Sequence, residues 1–157
     1  MSRPRWRMCG PGEPNATLTR TRWCVTVVVD ASAIVEVALD GDTPVRRSVL
    51  EVLRTESVWV VPDYTDIEVV SAIGRVVRRG ELSAVNARSV LSAVASLPFT
   101  RVEVRAVSGR VVELMSNHSA YDAGYIAIAE QLGARVLTLD RAMAASPVAR
   151  CGFVDVD

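Results

Sequence analysis

Short β-branched runs alternating with helical patterns constrain this chain more than any other feature. Residues 24–29 (CVTVVV) are apolar except for one Thr, and Ala33, Ile34, Val37 and Ala38 then follow at helical spacing. The same order recurs along the chain. Runs at 58–61, stopped by Pro62, at 101–104 and at 135–139 read as further strands, with a last one at 153–156. The helical stretch after the first strand breaks near 41–44 (GDTP) and resumes to about residue 54. Further helices are predicted over 65–79 (ending at Gly80), 83–96 (ahead of Pro98), 108–116, and 120–132 (ending at Gly133), with a short one after Asp140. Strands that are apolar along their whole length need cover on both faces, and alternating helices supply it. The predicted class is therefore α/β: a doubly wound parallel sheet flanked by helices on both faces, as a single domain. A chain of 157 residues has room for such a core.

Composition narrows the function classes. No segment approaches the ~20 apolar residues that a membrane-spanning helix needs. Arg3, Arg5 and Arg7 are not followed by an apolar stretch, which argues against a signal peptide. Cys9, Cys24 and Cys151 show no paired spacing, as expected of reduced thiols in a cytoplasmic protein. The formal net charge of zero hides an asymmetry. Residues 1–24 carry five Arg against one Glu, a net +4, whereas residues 25–157 carry thirteen Arg against seventeen acids, a net −4. Residues 1–24 hold Pro and Gly without periodicity and read as a basic, disordered N-terminal extension, with 25–157 as the folded domain.

Four acids share one kind of position. Asp30 directly follows the first strand, and Asp140 closes the fourth in VLTLD. Glu68 and Asp122 stand in the first turns of the helices in VPDYTDIEVV and NHSAYDAGYIAIAE. In an open parallel sheet, strand ends and the starts of the following helices lie on the edge where ligands bind. Taken singly, each acid has a purely local explanation. Asp30 and Asp140 suit helix N-caps, while Thr65 with Glu68, and Ser119 with Asp122, fit capping boxes. Taken together, they raise an electrostatic problem, since like charges a few ångströms apart repel by roughly 4 kcal/mol per pair at an effective dielectric of 20. Such a cluster calls for protons or a cation, and all-carboxylate oxygen sites suit Mg2+ or Mn2+. Ions of that kind promote phosphodiester hydrolysis.

The segments VVVDASA, VPDYTDIEVVSAI, SAYDAGYIAIAEQLGARVLTLDRAM and GFVDV resemble the PIN-domain nucleases, and most of all the VapC-type toxins of bacterial toxin–antitoxin pairs. The resemblance covers about residues 25–157 and implies a PIN-like parallel sheet and a metal-dependent ribonuclease. It matches Asp30, Glu68, Asp122 and Asp140 to the family's catalytic acidic quartet. Asp30 and Asp122 are expected as main ligands of Mg2+ or Mn2+, with Glu68 and Asp140 completing or orienting the set. Ser32 and Thr138 match the family's small polar supporting positions. The implied partners are an RNA substrate, a cognate antitoxin and a second copy of the chain, with no membrane. The basic extension departs from the family pattern, in which the first Asp lies close to the start.

Several weaker candidates accompany these. Arg75, Arg78 and Arg79 either bind RNA phosphates or simply favour a helix C-terminus. Tyr121 and Tyr125 either stack on bases or pack. His118, the one histidine, reads as a polar residue ahead of a helix rather than a base. Ile34, Val35, Val37 and Leu39 serve a dimer, an antitoxin groove or the core. A haloacid-dehalogenase-type phosphotransferase would want an acid where Ser32 stands, and a receiver domain needs a Lys, which this chain lacks. A catalytically inactive PIN-fold module and a housekeeping RNA-processing nuclease remain open readings.

Overall fold

The structure, a computed structural model, describes residues 26–39 and 41–156; the extension expected at 1–24 lies outside the described residues. Strands β1 (Thr26–Val29), β2 (Val58–Pro62), β3 (Thr100–Val102), β4 (Arg135–Leu137) and β5 (Gly152–Phe153) form a five-stranded sheet in the order β3-β2-β1-β4-β5. Every neighbouring pair is parallel, with Val28 of β1 opposite Val60 on one side and Val136 on the other. The strand order reverses between β1 and β4, which opens a crevice beyond their carboxyl ends.

The helices are α1 (Ala31–Ala38), α2 (Pro44–Thr55), α3 (Thr65–Arg78), α4 (Ala84–Ala95), α5 (Ser108–Leu114), α6 (Ala120–Leu132) and α7 (Arg141–Ala144). They cover both faces. Val27 and Val29 of β1 pack in one core with Ile34, Val49, Leu53, Val69, Ile73 and Val94 from α1 to α4. Val28, between them, points the other way and packs with Leu114, Ile126 and Ile128 from α5 and α6. Successive strand residues alternate sides, so an uninterrupted Val run is what a doubly covered strand requires. Helix α6 carries a buried run from Ala123 to Ala129, consistent with its mostly apolar sequence. It ends at Gly133, whose φ of 61° lets the chain turn back towards β4.

The expected α/β class and element order stand, and the differences lie at the ends. Strand β4 stops at Leu137 rather than residue 139. Thr138 leaves the ladder because its hydroxyl turns to Asp30 and accepts the amide of Asp140, so Asp140 caps α7 instead of closing the strand. The helix expected over 108–116 is preceded by a 3-10 turn at Val104–Val107 and ends at Leu114. The last strand is shorter and earlier than 153–156, and Val154 adds one more backbone bond to Val136. Among the described residues, no helix is long and apolar enough to cross a membrane, and Cys151 is a free, half-buried thiol.

Candidate active site

Asp30 is the pivot of the crevice. It caps α1 and lies in the seam where β1 and β4 part, its amide donating to Leu137 O at 2.9 Å. Its Oδ2 accepts the hydroxyl of Ser32, in a short contact, and that of Thr138 at 2.8 Å. Each hydroxyl in turn accepts a backbone amide of the β4–α7 turn: Leu139 N reaches Ser32 Oγ, and Asp140 N reaches Thr138 Oγ1, both at 3.0 Å. Two side chains therefore tie the acid at the end of β1 to the backbone that positions the acid after β4. Burial pushes the Asp30 carboxyl above its usual range, and the bonds from Ser32 and Thr138 oppose that rise.

Glu68 enters from α3. The capping box expected at its start is absent: Tyr64 is the N-cap, without a side-chain cap bond, and Thr65 lies inside the helix. The hydroxyl of Thr65 instead contacts that of Tyr125 at 2.9 Å, and Tyr125 donates to Glu68 Oε2 at 2.7 Å. Burial is the main cause raising the Glu68 carboxyl. The Tyr125 bond lowers it, and the nearby charges of Asp30 and Asp122 add to the rise.

Asp122, in the first turn of α6, keeps the local arrangement read from sequence. Ser119 Oγ accepts its amide at 3.1 Å and donates to its Oδ2 at 2.8 Å. Asp140 is likewise a true cap, its Oδ1 accepting Ala142 N at 2.7 Å and Met143 N at 3.1 Å. Asp30, Asp122 and Asp140 thus keep the local bonds read from sequence, and Asp30 and Asp140 also face one cavity.

An open cavity of about 670 Å³ lies over this edge, lined by Asp30, Ser32, Glu68 and Asp140 together with Arg75 and Tyr121. Asp122 is not part of the lining, though its charge bears on Glu68. Thr138 sits behind Asp30, buried. Of the three candidate arginines only Arg75 lines the cavity; Arg79 pairs with Glu81, away from it. Tyr121 is half exposed at the rim. Tyr125 is fully buried, so base stacking is excluded for it. His118 bonds Ser146 through Nε2 at 2.7 Å, a link between the start of α6 and the turn after α7. Ile34 belongs to the core, whereas Val35 lines the acidic cavity.

One aromatic residue of this region, Tyr64, escaped the sequence reading, as did the bond that Tyr125 makes to Glu68. Tyr64 donates its hydroxyl to Tyr121 O at 2.6 Å and lies edge-on to both Tyr121 and Tyr125. It occupies the space that a Cβ on Gly124 would take. The signal available for Tyr125 was its place one turn beyond Asp122, on the otherwise small and aliphatic buried face of α6.

The donor set suits a hard divalent ion. Among the described residues, no three acidic, His or Cys side chains converge tightly enough to chelate an ion by themselves. That is compatible with Mg2+, which keeps several waters and needs only one or two carboxylates. Arg75 is the one base among the residues lining the cavity, and burial together with neighbouring charge raises the acids facing it, so added positive charge there is favourable.

The family model for the PIN domain matches residues 27–147. Ribonuclease VapC12 of Mycobacterium tuberculosis is 37% identical over 120 residues, covering 76% of this chain and 91% of that protein. Ribonuclease VapC9 of the same organism is 34% identical over 126 residues, covering 80% and 94%. Ribonuclease VapC1 is 38% identical over 128 residues, covering 79% and 92%. Among solved structures, PAE2754 from Pyrobaculum aerophilum superimposes with a TM-score of 0.59 at 24% identity, covering 86% of this chain and 87% of that one. The M. tuberculosis VapC20, a sarcin-ricin-loop-cleaving toxin, superimposes with a TM-score of 0.57 at 16% identity, covering 76% and 93%. At these identities the two structures bear on the fold alone.

Proposed function

The chain belongs to the PIN-domain family, and from that premise we propose that it is a VapC-type ribonuclease, the toxin of a toxin–antitoxin pair, hydrolysing RNA phosphodiesters with Mg2+ or Mn2+. The observation that carries the reading is the meeting of Asp30, Glu68 and Asp140 on one cavity at the reversal of strand order, in a chain resembling VapC ribonucleases over most of its length. Asp30 and Asp122 would be the main metal ligands, with Glu68 and Asp140 completing the set directly or through water. When bound, the ion supplies the positive charge that lowers the pKa of an attacking water and neutralises the leaving oxyanion.

The protein's own groups do the rest. Ser32 and Thr138 hold Asp30 in one orientation and couple it to the turn that carries Asp140. Such outer hydrogen bonds orient ligands and tune the affinity of a site. Arg75, which lines the cavity, would meet a phosphate of the bound strand, and the exposed ring of Tyr121 would receive a base. The working partners are an RNA substrate, a cognate antitoxin and a second copy of the chain, in the cytoplasm.

The decisive experiment measures cleavage of RNA with and without Mn2+ by the wild type, Asp30→Asn and Asp122→Asn. The amide keeps the acid's size and one acceptor oxygen, so the caps persist, whereas the charge that a hard ion needs is gone. Both variants should fold, lose cleavage and lose stabilisation by Mn2+. Wild-type cleavage by both would reduce these acids to caps. Growth arrest on expression, relieved by a small co-expressed partner, tests the toxin role separately.

A further inference from the structure

We propose that Tyr125 is a positioning residue for the acidic cavity, acting through its hydroxyl on Glu68; this rests on reading that cavity as a divalent-ion nuclease site. Tyr125 and Asp122 stand three residues apart on α6, while Glu68 belongs to α3. The bond from Tyr125 to Glu68 Oε2, at 2.7 Å, is thus the direct link between Glu68 and the helix that carries Asp122. A phenol has a single proton. With that proton donated to Glu68, the 2.9 Å contact to Thr65 has Thr65 as the donor. The relay therefore runs from Thr65 to Tyr125 to Glu68, and both hydroxyl-bearing residues are buried, Thr65 at 2% and Tyr125 at 0% exposure.

Glu68 needs such a hold. A glutamate side chain has several soft torsions, and fixing them costs conformational entropy. Its neighbours Asp30 and Asp122 repel it, so an unheld carboxylate would swing towards solvent. The Tyr125 hydroxyl, itself buried and outside the cavity lining, holds one oxygen of a carboxylate that lines the cavity, which restricts where the carboxylate faces. A tyrosine that merely satisfied its own hydroxyl in the core would serve stability alone. The two roles predict different results for Tyr125→Phe, which keeps the ring and removes only the hydroxyl.

The test uses the full chain. Mn2+ binding is measured by calorimetry without RNA, and kcat and KM are measured on an RNA substrate. The positioning role predicts Mn2+ affinity lowered by about tenfold or more in Tyr125→Phe, a range usual for lost outer-shell bonds. It also predicts a fall in kcat at unchanged KM, and no further loss of Mn2+ affinity when Tyr125→Phe is added to Glu68→Gln. Wild-type Mn2+ affinity and kcat in folded Tyr125→Phe, or losses that add in the double variant, would overturn the proposal while leaving the nuclease reading intact. If Tyr125→Phe fails to fold, Thr65→Val decides, since it leaves the Tyr125 ring in place and strips the donor behind it. Severalfold weaker Mn2+ binding supports the relay and unchanged binding overturns it. A wild-type protein that neither binds Mn2+ nor cleaves RNA would overturn both readings.

Discussion

The hydroxyl of Thr138 donates to Oδ2 of Asp30 at 2.8 Å across 108 positions of the chain. Its oxygen also accepts the amide of Asp140 at 3.0 Å, so one side chain sets the spacing of two acids that different strands deliver. Neither acid's cap bonds would do this alone, because those bonds reach only two or three residues along the chain.

Thr138→Val should therefore affect both stability and function. The valine keeps the shape of the buried side chain but leaves the Asp140 amide without this acceptor, at a cost of about 1–3 kcal/mol. RNA cleavage should fall by about ten- to a hundredfold, whereas Thr138→Ser should stay close to wild type on both counts. Urea unfolding and a cleavage assay on the three proteins check this. Equal activity of the valine and serine variants would show that the hydroxyl has no part in the site.

Two glycine substitutions should move stability in opposite directions. A Cβ on Gly124 would stand 3.0 Å from Cζ of Tyr64 and 3.2 Å from its Cε1, with the hydroxyl closer still. Gly124→Ala should displace Tyr64 and its bond to Tyr121 O, costing about 1–3 kcal/mol despite the better helix propensity of alanine. Gly109, also helical, has nothing within 4 Å of an added Cβ. Gly109→Ala should then gain about 0.5–1 kcal/mol. Denaturant midpoints compare the pair directly, and a stabilising Gly124→Ala would mean that Tyr64 moves aside freely.

Acid stability should depend on Glu130. Its carboxylate accepts Arg110 Nε at 2.7 Å, Arg110 Nη2 at 3.1 Å and Arg150 N at 2.7 Å, tying α6 to α5 and to the turn before β5. Burial alone would raise its pKa, but the bonds from Arg110 and Arg150 outweigh that and hold it below the ordinary value of 4.5. A carboxylate depressed in the folded state contributes stability that is fully present above the unfolded value and lost as the pH falls through the folded one. Relative to wild type, Glu130→Gln should thus be destabilised at neutral pH, and the gap should close below about 4.5. A gap that stays constant down to pH 3 would show that the charge of Glu130 contributes nothing.

The elements and the caps at three of the four acids were legible because their causes are local. A Val run, a Gly after a helix, and a cap that bonds two or three residues ahead all act within one turn of chain, and the caps at Asp30, Ser119 and Asp140 lie where sequence places them. The fourth acid shows where local reading ends. Thr65 and Glu68 have the spacing of a capping box, yet Thr65 turns inward, because Tyr125 of α6 offers a partner that capping statistics cannot contain.

The sequence by itself determined the alternation, the class and the seams at which the acids stand. Only the tertiary structure decided that β4 lies beside β1, that Thr138 leaves the ladder to hold Asp30, and that Tyr125 and Tyr64 join α3 to α6. The division follows from range. Propensities and caps are set by neighbours in sequence, whereas strand order and buried hydroxyl partners are set by which apolar faces must cover one another, a choice made among segments far apart along the chain.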